Sequence, residues 1–309
     1  MQRIRLGIVG VGKVAQDQHI PALRATDAFS LVACASRTCS IEGLDNFETV
    51  IDMLDKRTDI EAVAICTPPQ SHYRAAKCAL GRGKHVLLEK PPCATIAEFD
   101  QLVHLAKAKD VTLFQTWHAR HGAAVDAAAR WLESCRILRG TIRWKEDVRH
   151  WHPGQEWIWQ PGGFGVLDAG INAVSILTQI IAEPLFVEGA QLFVPSNREA
   201  PIAANVTFTT DSNVMIEAEF DFRHRGEMVC EIELDTDRGS LVLTAYGNAL
   251  AINGVPVELN AAEGEYLSLY RRFAELIRHG ESDVDGRPLK LIADIFLVGR
   301  QSAVEAFEQ

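Results

Sequence analysis

Long hydrophobic runs are missing: no stretch approaches 18 uninterrupted apolar residues, so no membrane-spanning helix is expected. The N-terminus, Met1-Gln-Arg-Ile-Arg-Leu-Gly7, lacks the apolar centre of a signal peptide and runs straight into a strand pattern, which points to the cytoplasm. Positive charge is in deficit, with 31 Lys and Arg against 41 Asp and Glu, a formal net charge of −10. That balance repels phosphate backbones and argues against a nucleic-acid partner. The seven cysteines include no CxxC pair and scatter through apolar runs such as Ala62 to Cys66. They read as buried free thiols in a reducing compartment rather than as a disulfide framework. Repeats and low-complexity linkers are absent too. What remains is 309 residues, 47% of them hydrophobic, long enough for two ordinary globular domains.

The first 120 residues alternate short apolar runs (Arg5 to Val9, Ser30 to Ala35, Ala62 to Cys66, His85 to Leu88, Thr112 to Gln115) with helical patterns. The helices are expected at Lys13 to Ala25, Thr49 to Asp55, Ser71 to Gly81 and Ile96 to Lys109. Apolar strands separated by helices predict βαβ units and a parallel sheet covered on both faces. Beyond residue 120 the texture changes. Helices are expected at Ala123 to Leu132 and Leu167 to Ile181, with a strand from Thr141 to Arg149 between them. From Pro184 to Leu259, strand patterns are broken by turn signals such as Asp237-Arg-Gly239 and Asn253-Gly254, which suit antiparallel strands. Closing helices are expected at Tyr266 to Arg278 and Leu289 to Phe307. The predicted fold is therefore α/β: a Rossmann domain over residues 1–120, then an α+β domain over 121–309 with a large, mostly antiparallel open sheet.

Gly7-Ile-Val-Gly10-Val-Gly12-Lys13-Val14-Ala15 follows the first strand and opens the first helix. Gly10 permits the tight turn, Gly12 lets the backbone approach a pyrophosphate, and Ala15 allows close helix-to-strand packing. The phosphates would rest on unpaired amides at the helix start, where Lys13 and Val14 stand. A strictly NAD-dependent site ends its second strand with an acid that grips the ribose. Here that strand ends Ser36-Arg37, a hydroxyl donor and a bidentate cation suited to a 2′-phosphate. NADP acceptance is expected; the alternative is that Arg37 stacks on adenine and tolerates NAD equally.

Further on come Cys66-Thr67-Pro68-Pro69, His72, the run Gly83-Lys-His-Val-Leu-Leu-Glu89-Lys90-Pro91, and Gly163-Phe-Gly-Val-Leu-Asp168-Ala-Gly170-Ile-Asn172. With these, the sequence resembles the Gfo/Idh/MocA family of sugar and polyol oxidoreductases across both domains. The resemblance implies a nicotinamide cofactor contacted around Thr67, Pro68, His72, Glu89 and Lys90, and a homodimer or homotetramer. It also implies that Lys90 lies beside the nicotinamide and hydrogen-bonds the reacting hydroxyl. The stretch Trp151 to Trp159 resembles the aldose 1-dehydrogenases of the family, which implies L-arabinose or D-galactose as substrate. An inositol or polyol dehydrogenase, or a sensor that has lost catalysis, are the alternatives.

The residues themselves support a site. Lys90 ends a wholly apolar strand, on the edge where open α/β sheets bind ligands. Asp168 and Asn172, at i and i+4, share one helix face. Many members of the family carry histidine where this chain has Asn172. Asparagine cannot titrate, so the proton falls to Asp168 or Lys90 and Asn172 orients a substrate hydroxyl; plain helix-start and helix-face roles stay open for the two. Period-two alternation over Ile142, Trp144, Glu146 and Val148 puts Glu146 on the apolar side, where a carboxylate needs a partner. Asp147 faces the other way, toward solvent or a subunit. His118 and His152 are expected to bind sugar hydroxyls, with Trp151 on the sugar ring; Trp157 and Trp159 are open to core or loop packing. The pairs His118/His121 and His150/His152 lack helical ligand spacing, so no metal is expected.

Overall fold

The computed structural model describes residues 3–259 and 264–308. They form two compact units, one of Met1–His118 with Glu263–Gly286, the other of Ala119–Ala262 with Arg287–Gln309.

The first unit is built on six parallel strands: β1 (Ile4–Val9), β2 (Phe29–Ala35), β3 (Asp45–Phe47), β4 (Ala62–Ile65), β5 (His85–Leu88) and β6 (Leu113–Gln115), in the order β3-β2-β1-β4-β5-β6. Between them run α1 (Ile20–Ala25), α2 (Val50–Lys56), α3 (Pro69–Gly81) and α4 (Ile96–Lys109). All four residues of β4 are buried, as a strand covered on both faces requires. The helix expected from Lys13 is instead a π-helical turn, Ala15–His19, that passes into α1. Pro21 has no N–H to give the carbonyl four residues back, and the amide of Ile20 reaches Ala15 O instead.

The second unit carries nine strands. After α5 (Val125–Leu132) come β7 (Ile137–Lys145), α6 (Val148–Trp151) and α7 (Leu167–Ile180), then β8 (Leu185–Pro195), β9 (Ala203–Thr210), β10 (Met215–Asp221), β11 (Val229–Thr236), β12 (Gly239–Thr244), β13 (Ala249–Ile252) and β14 (Val255–Pro256). The chain next supplies α8 (Glu265–His279) to the first unit. It then returns to the second unit with α9 (Arg287–Val298) and β15 (Arg300–Val304). The sheet order is β14-β13-β12-β11-β7-β10-β9-β8-β15, antiparallel except for β7–β10 and β8–β15. Burial alternates along β10 and β11, so one face of the sheet packs inward. The α7 helix lies against β7 and is buried on nearly every side.

Three expectations need correction. Residues 263–286 belong with the first unit: Tyr266, Leu269, Tyr270 and Phe273 of α8 join its core, Phe273 stacking on Phe29 at 5.5 Å. The last helix stops at Val298, and 300–304 pairs with β8 as a strand. A Cβ on Gly299 would lie 2.4 Å from Ile295 O, so only glycine fits between the helix and the strand. Likewise β7 ends at Lys145; Asp147 accepts the Arg149 amide at 3.0 Å and starts the short helix α6. All seven thiols are free, four buried and three half-buried. Among the described residues no helix is long and apolar enough to cross a membrane.

Candidate active site

In the first unit β1 and β4 are neighbours at the point where strand order reverses, and open α/β sheets take ligands outside the strand ends there. The loops leaving these strands touch. Gly10 has φ +86°, and a Cβ on it would lie 2.8 Å from the Thr67 backbone nitrogen and 2.9 Å from the Cys66 carbonyl carbon. Glycine alone fits both the dihedral and the contact. A Cβ on Gly12 would meet nothing within 4 Å, so the space before the helix is open. Gln16 fixes the loop, its backbone amide donating to Gly12 O at 3.0 Å and its side chain to Val11 O at 3.1 Å. The Thr67 hydroxyl oxygen is buried with no hydrogen-bond partner among the described residues. An open cradle at a helix start, walled by an orphaned hydroxyl, fits a pyrophosphate. Lys13 pairs with Asp17 at 2.5 Å, Val14 is half-buried, and Pro68 precedes α3. At the end of β2, Ser36 Oγ accepts the amides of Thr38 and Cys39 at 3.5 and 3.4 Å and keeps its proton to donate, beside the exposed Arg37.

Glu89 and His72, both expected at the cofactor, are buried and hydrogen-bonded within the protein. His72 is buried between the carbonyls of Thr67 (2.5 Å) and Pro91 (2.9 Å), so it ties the β4 loop to the Lys90–Pro91 segment. Burial pushes its pKa down. Glu89 is 3% exposed and accepts the Lys90 amide at 2.7 Å and His19 Nε2 at 3.1 Å, with the Tyr266 phenol as a further donor. Burial opposes its charge, yet the hydrogen bond and charge of His19, with His118 and Lys90 nearby, hold its pKa at about 2. Tyr270 closes the chain, its phenol 2.8 Å from His19 Nδ1. Lys90, half-buried at the carboxyl end of β5, thus stands on a fully hydrogen-bonded buried carboxylate. His118 stacks on Tyr266 and lies 2.8 Å from Glu265.

In the second unit Gly163 and Gly165 make the entry to α7 possible: a Cβ on Gly163 would lie 2.0 Å from Trp157 O, and one on Gly165 (φ +56°) 2.3 Å from Pro201 O. That tight turn sets Asp168, 1% exposed, in the first turn of α7, one turn before Asn172. Ile142 and Trp144 of β7 are buried, and so are Glu146 and Val148 beyond its end, the positions the sequence pattern predicts. Glu146 and Asp168 converge on one imidazole: His152 Nε2 is 3.9 Å from an oxygen of each. The Asn172 side chain, 5% exposed, has no hydrogen-bond partner among the described residues. Two buried carboxylates, an imidazole and a carboxamide can together hold several hydroxyls and take one proton.

Trp151 is exposed, edge-on to His150, whereas Trp159 packs between Phe222 and Phe307 in the core. Asp147 pairs with Arg149 at 2.8 Å. No group of three or more His, Cys, Asp or Glu among the described residues could hold a metal ion. Sequence reasoning missed Tyr246, whose phenol donates to Glu146 Oε2 at 3.0 Å, and the trio His19, Tyr266 and Tyr270. The only local signal for Tyr246 was the turn Tyr246-Gly247-Asn248 after a strand.

Comparison with known proteins gives the family and the fold. A model described as the oxidoreductase family with an NAD-binding Rossmann fold (GFO_IDH_MocA) matches residues 4–116. The chain is 45% identical over 307 residues to the galactose 1-dehydrogenase of Pseudomonas fluorescens, covering 99% of both. The crystal structure of D-galactose-1-dehydrogenase from Rhizobium etli matches with a TM-score of 0.93 at 48% identity, over 100% of this chain and 99% of that one. A 3-ketoreductase from Actinomadura kijaniata, solved with NADP and TDP-benzene, shares the fold at TM-score 0.86 and 20% identity, covering 98% and 100%.

Proposed function

This chain belongs to the Gfo/Idh/MocA oxidoreductase family, and from that premise we propose that it oxidises C1 of D-galactose or L-arabinose to the aldonolactone with NADP or NAD. The observation that carries the substrate half is the cluster of Glu146, Asp168, His152 and Asn172, matched to a polyhydroxylated ligand. When bound, the nicotinamide accepts the hydride from C1. Residues 10–14, Thr67 and Pro68 hold the dinucleotide, and Ser36 with Arg37 binds a 2′-phosphate. The proton of the anomeric hydroxyl goes to Asp168 or Lys90, while Asn172, Glu146 and His152 orient the other hydroxyls. Trp151 covers the C–H face of the sugar ring, and His118 contributes a further hydroxyl contact. The working form is a homodimer or homotetramer, supported by the exposed Phe186 and Met215 on the nine-stranded sheet.

The test is a panel of aldoses and polyols with NAD and with NADP, read by absorbance of the reduced nicotinamide. D-galactose and L-arabinose, which share configuration at C2, C3 and C4, should be oxidised. D-glucose should be poor, because a wrong epimer leaves polar groups of the site unpaired. Oxidation of an inositol instead, or of nothing on the panel, overturns the assignment.

A further inference from the structure

Ala245, Tyr246 and Gly247 are consecutive residues with left-handed backbone, at φ 51°, 57° and 81°. Two of them bear side chains, and such residues persist in that region only where their surroundings over-determine them. The clamp is visible. Gly247 O accepts the Ala124 amide at 2.9 Å, and Gly122 lies so close that a Cβ on it would stand 2.6 Å from that oxygen. The result is one half-buried phenol aimed at one buried carboxylate: Tyr246 donates to Glu146 Oε2 at 3.0 Å, its ring edge-on to Trp144 at 4.8 Å. The other oxygen of Glu146 is the one that faces His152. Burial and the nearby Glu146 charge push the Tyr246 pKa far up, so the phenol keeps its proton and remains a donor.

We propose that Tyr246 is a positioning residue of the substrate site: it occupies one oxygen of Glu146 and so turns the other toward His152 and a sugar hydroxyl. The inference rests on the reading of that cluster as the sugar site. It gives the strained turn a purpose, since a relaxed turn would not be bound to deliver the phenol there.

Tyr246→Phe removes the hydroxyl and keeps the ring on Trp144. A hydrogen bond to a charged group corresponds to a change of about tenfold or more, so kcat/KM for D-galactose should fall by at least about tenfold, mainly through KM. NADP affinity should hold, and the thermal midpoint should fall by no more than roughly 3–6 °C for the one lost bond. In a Glu146→Ala background the same change should cost less than about threefold, because the acceptor is gone. Equal losses in both backgrounds, or a variant within twofold of wild type, overturn the proposal. A sugar-free measurement separates it from the assignment of substrate: carbon-13 titration of the Glu146 carboxyl. The groups facing that carboxyl are Tyr246, His152 and Cys230 on β11, and His152 also meets Asp168 of α7. Loss of the phenol donor should move the Glu146 titration upward. An unmoved titration refutes the positioning role even if no aldose on the panel is turned over; a raised one with no aldose turned over refutes only the substrate.

Discussion

Replacing Glu89 by glutamine tests whether the buried carboxylate beneath Lys90 is held as a charge. The gap between its ordinary 4.5 and about 2, at about 1.4 kcal/mol per pH unit, corresponds to about 3 kcal/mol of stability. The sign follows from the direction: a carboxyl depressed on folding stabilises fully above pH 4.5, and the gain drains away as pH falls toward 2. Glutamine does not titrate, and its amide would set a donor against the donors His19 and Tyr266. At pH 7 the variant should therefore melt roughly 6–12 °C below wild type, at about 2–4 °C per kcal/mol. The difference should shrink steadily from pH 5 to pH 3, where roughly half of the charge contribution is lost. Scanning calorimetry of both proteins at pH 7, 5, 4 and 3 measures it. A melting difference that stays the same at pH 7 and pH 3 would refute the reasoning, since the carboxylate would then contribute by shape and not by charge.

Gly10→Ala should lose more than about 2 kcal/mol of stability and most NADP affinity, because backbone atoms of Thr67 and Cys66 cannot yield to a Cβ at a φ of +86°; a normal melt and normal fluorescence titration with NADP would contradict this. Arg37→Ala should weaken NADP about tenfold or more and NAD little, from the loss of one charge-assisted phosphate contact; equal losses would mean that Arg37 only stacks on adenine. Asp168→Asn should lower turnover by a factor on the order of 10²–10⁴; near-normal turnover with an unchanged pH–rate profile would pass the proton role to Lys90 or Glu146.

The sequence by itself determined whatever is encoded within a few neighbouring residues. The glycine loop after the first strand, the i, i+4 pair Asp168 and Asn172, and the alternation along Ile142 and Trp144 that runs on to Glu146 are all local relations. Backbone geometry fixes those relations before any distant contact forms. The tertiary structure alone decided which remote segments meet. Glu89 takes a donor from His19, 70 positions away, and another from Tyr266 on a helix that rejoins the first unit after 144 residues of the second. Those contacts hold the Glu89 carboxylate within the protein, which its motif alone did not announce. Tyr246 reaches Glu146 across 100 positions, by way of a left-handed turn that no periodicity announces. Periodicity sets which side of an element is buried; only the path of the chain sets what it is buried against.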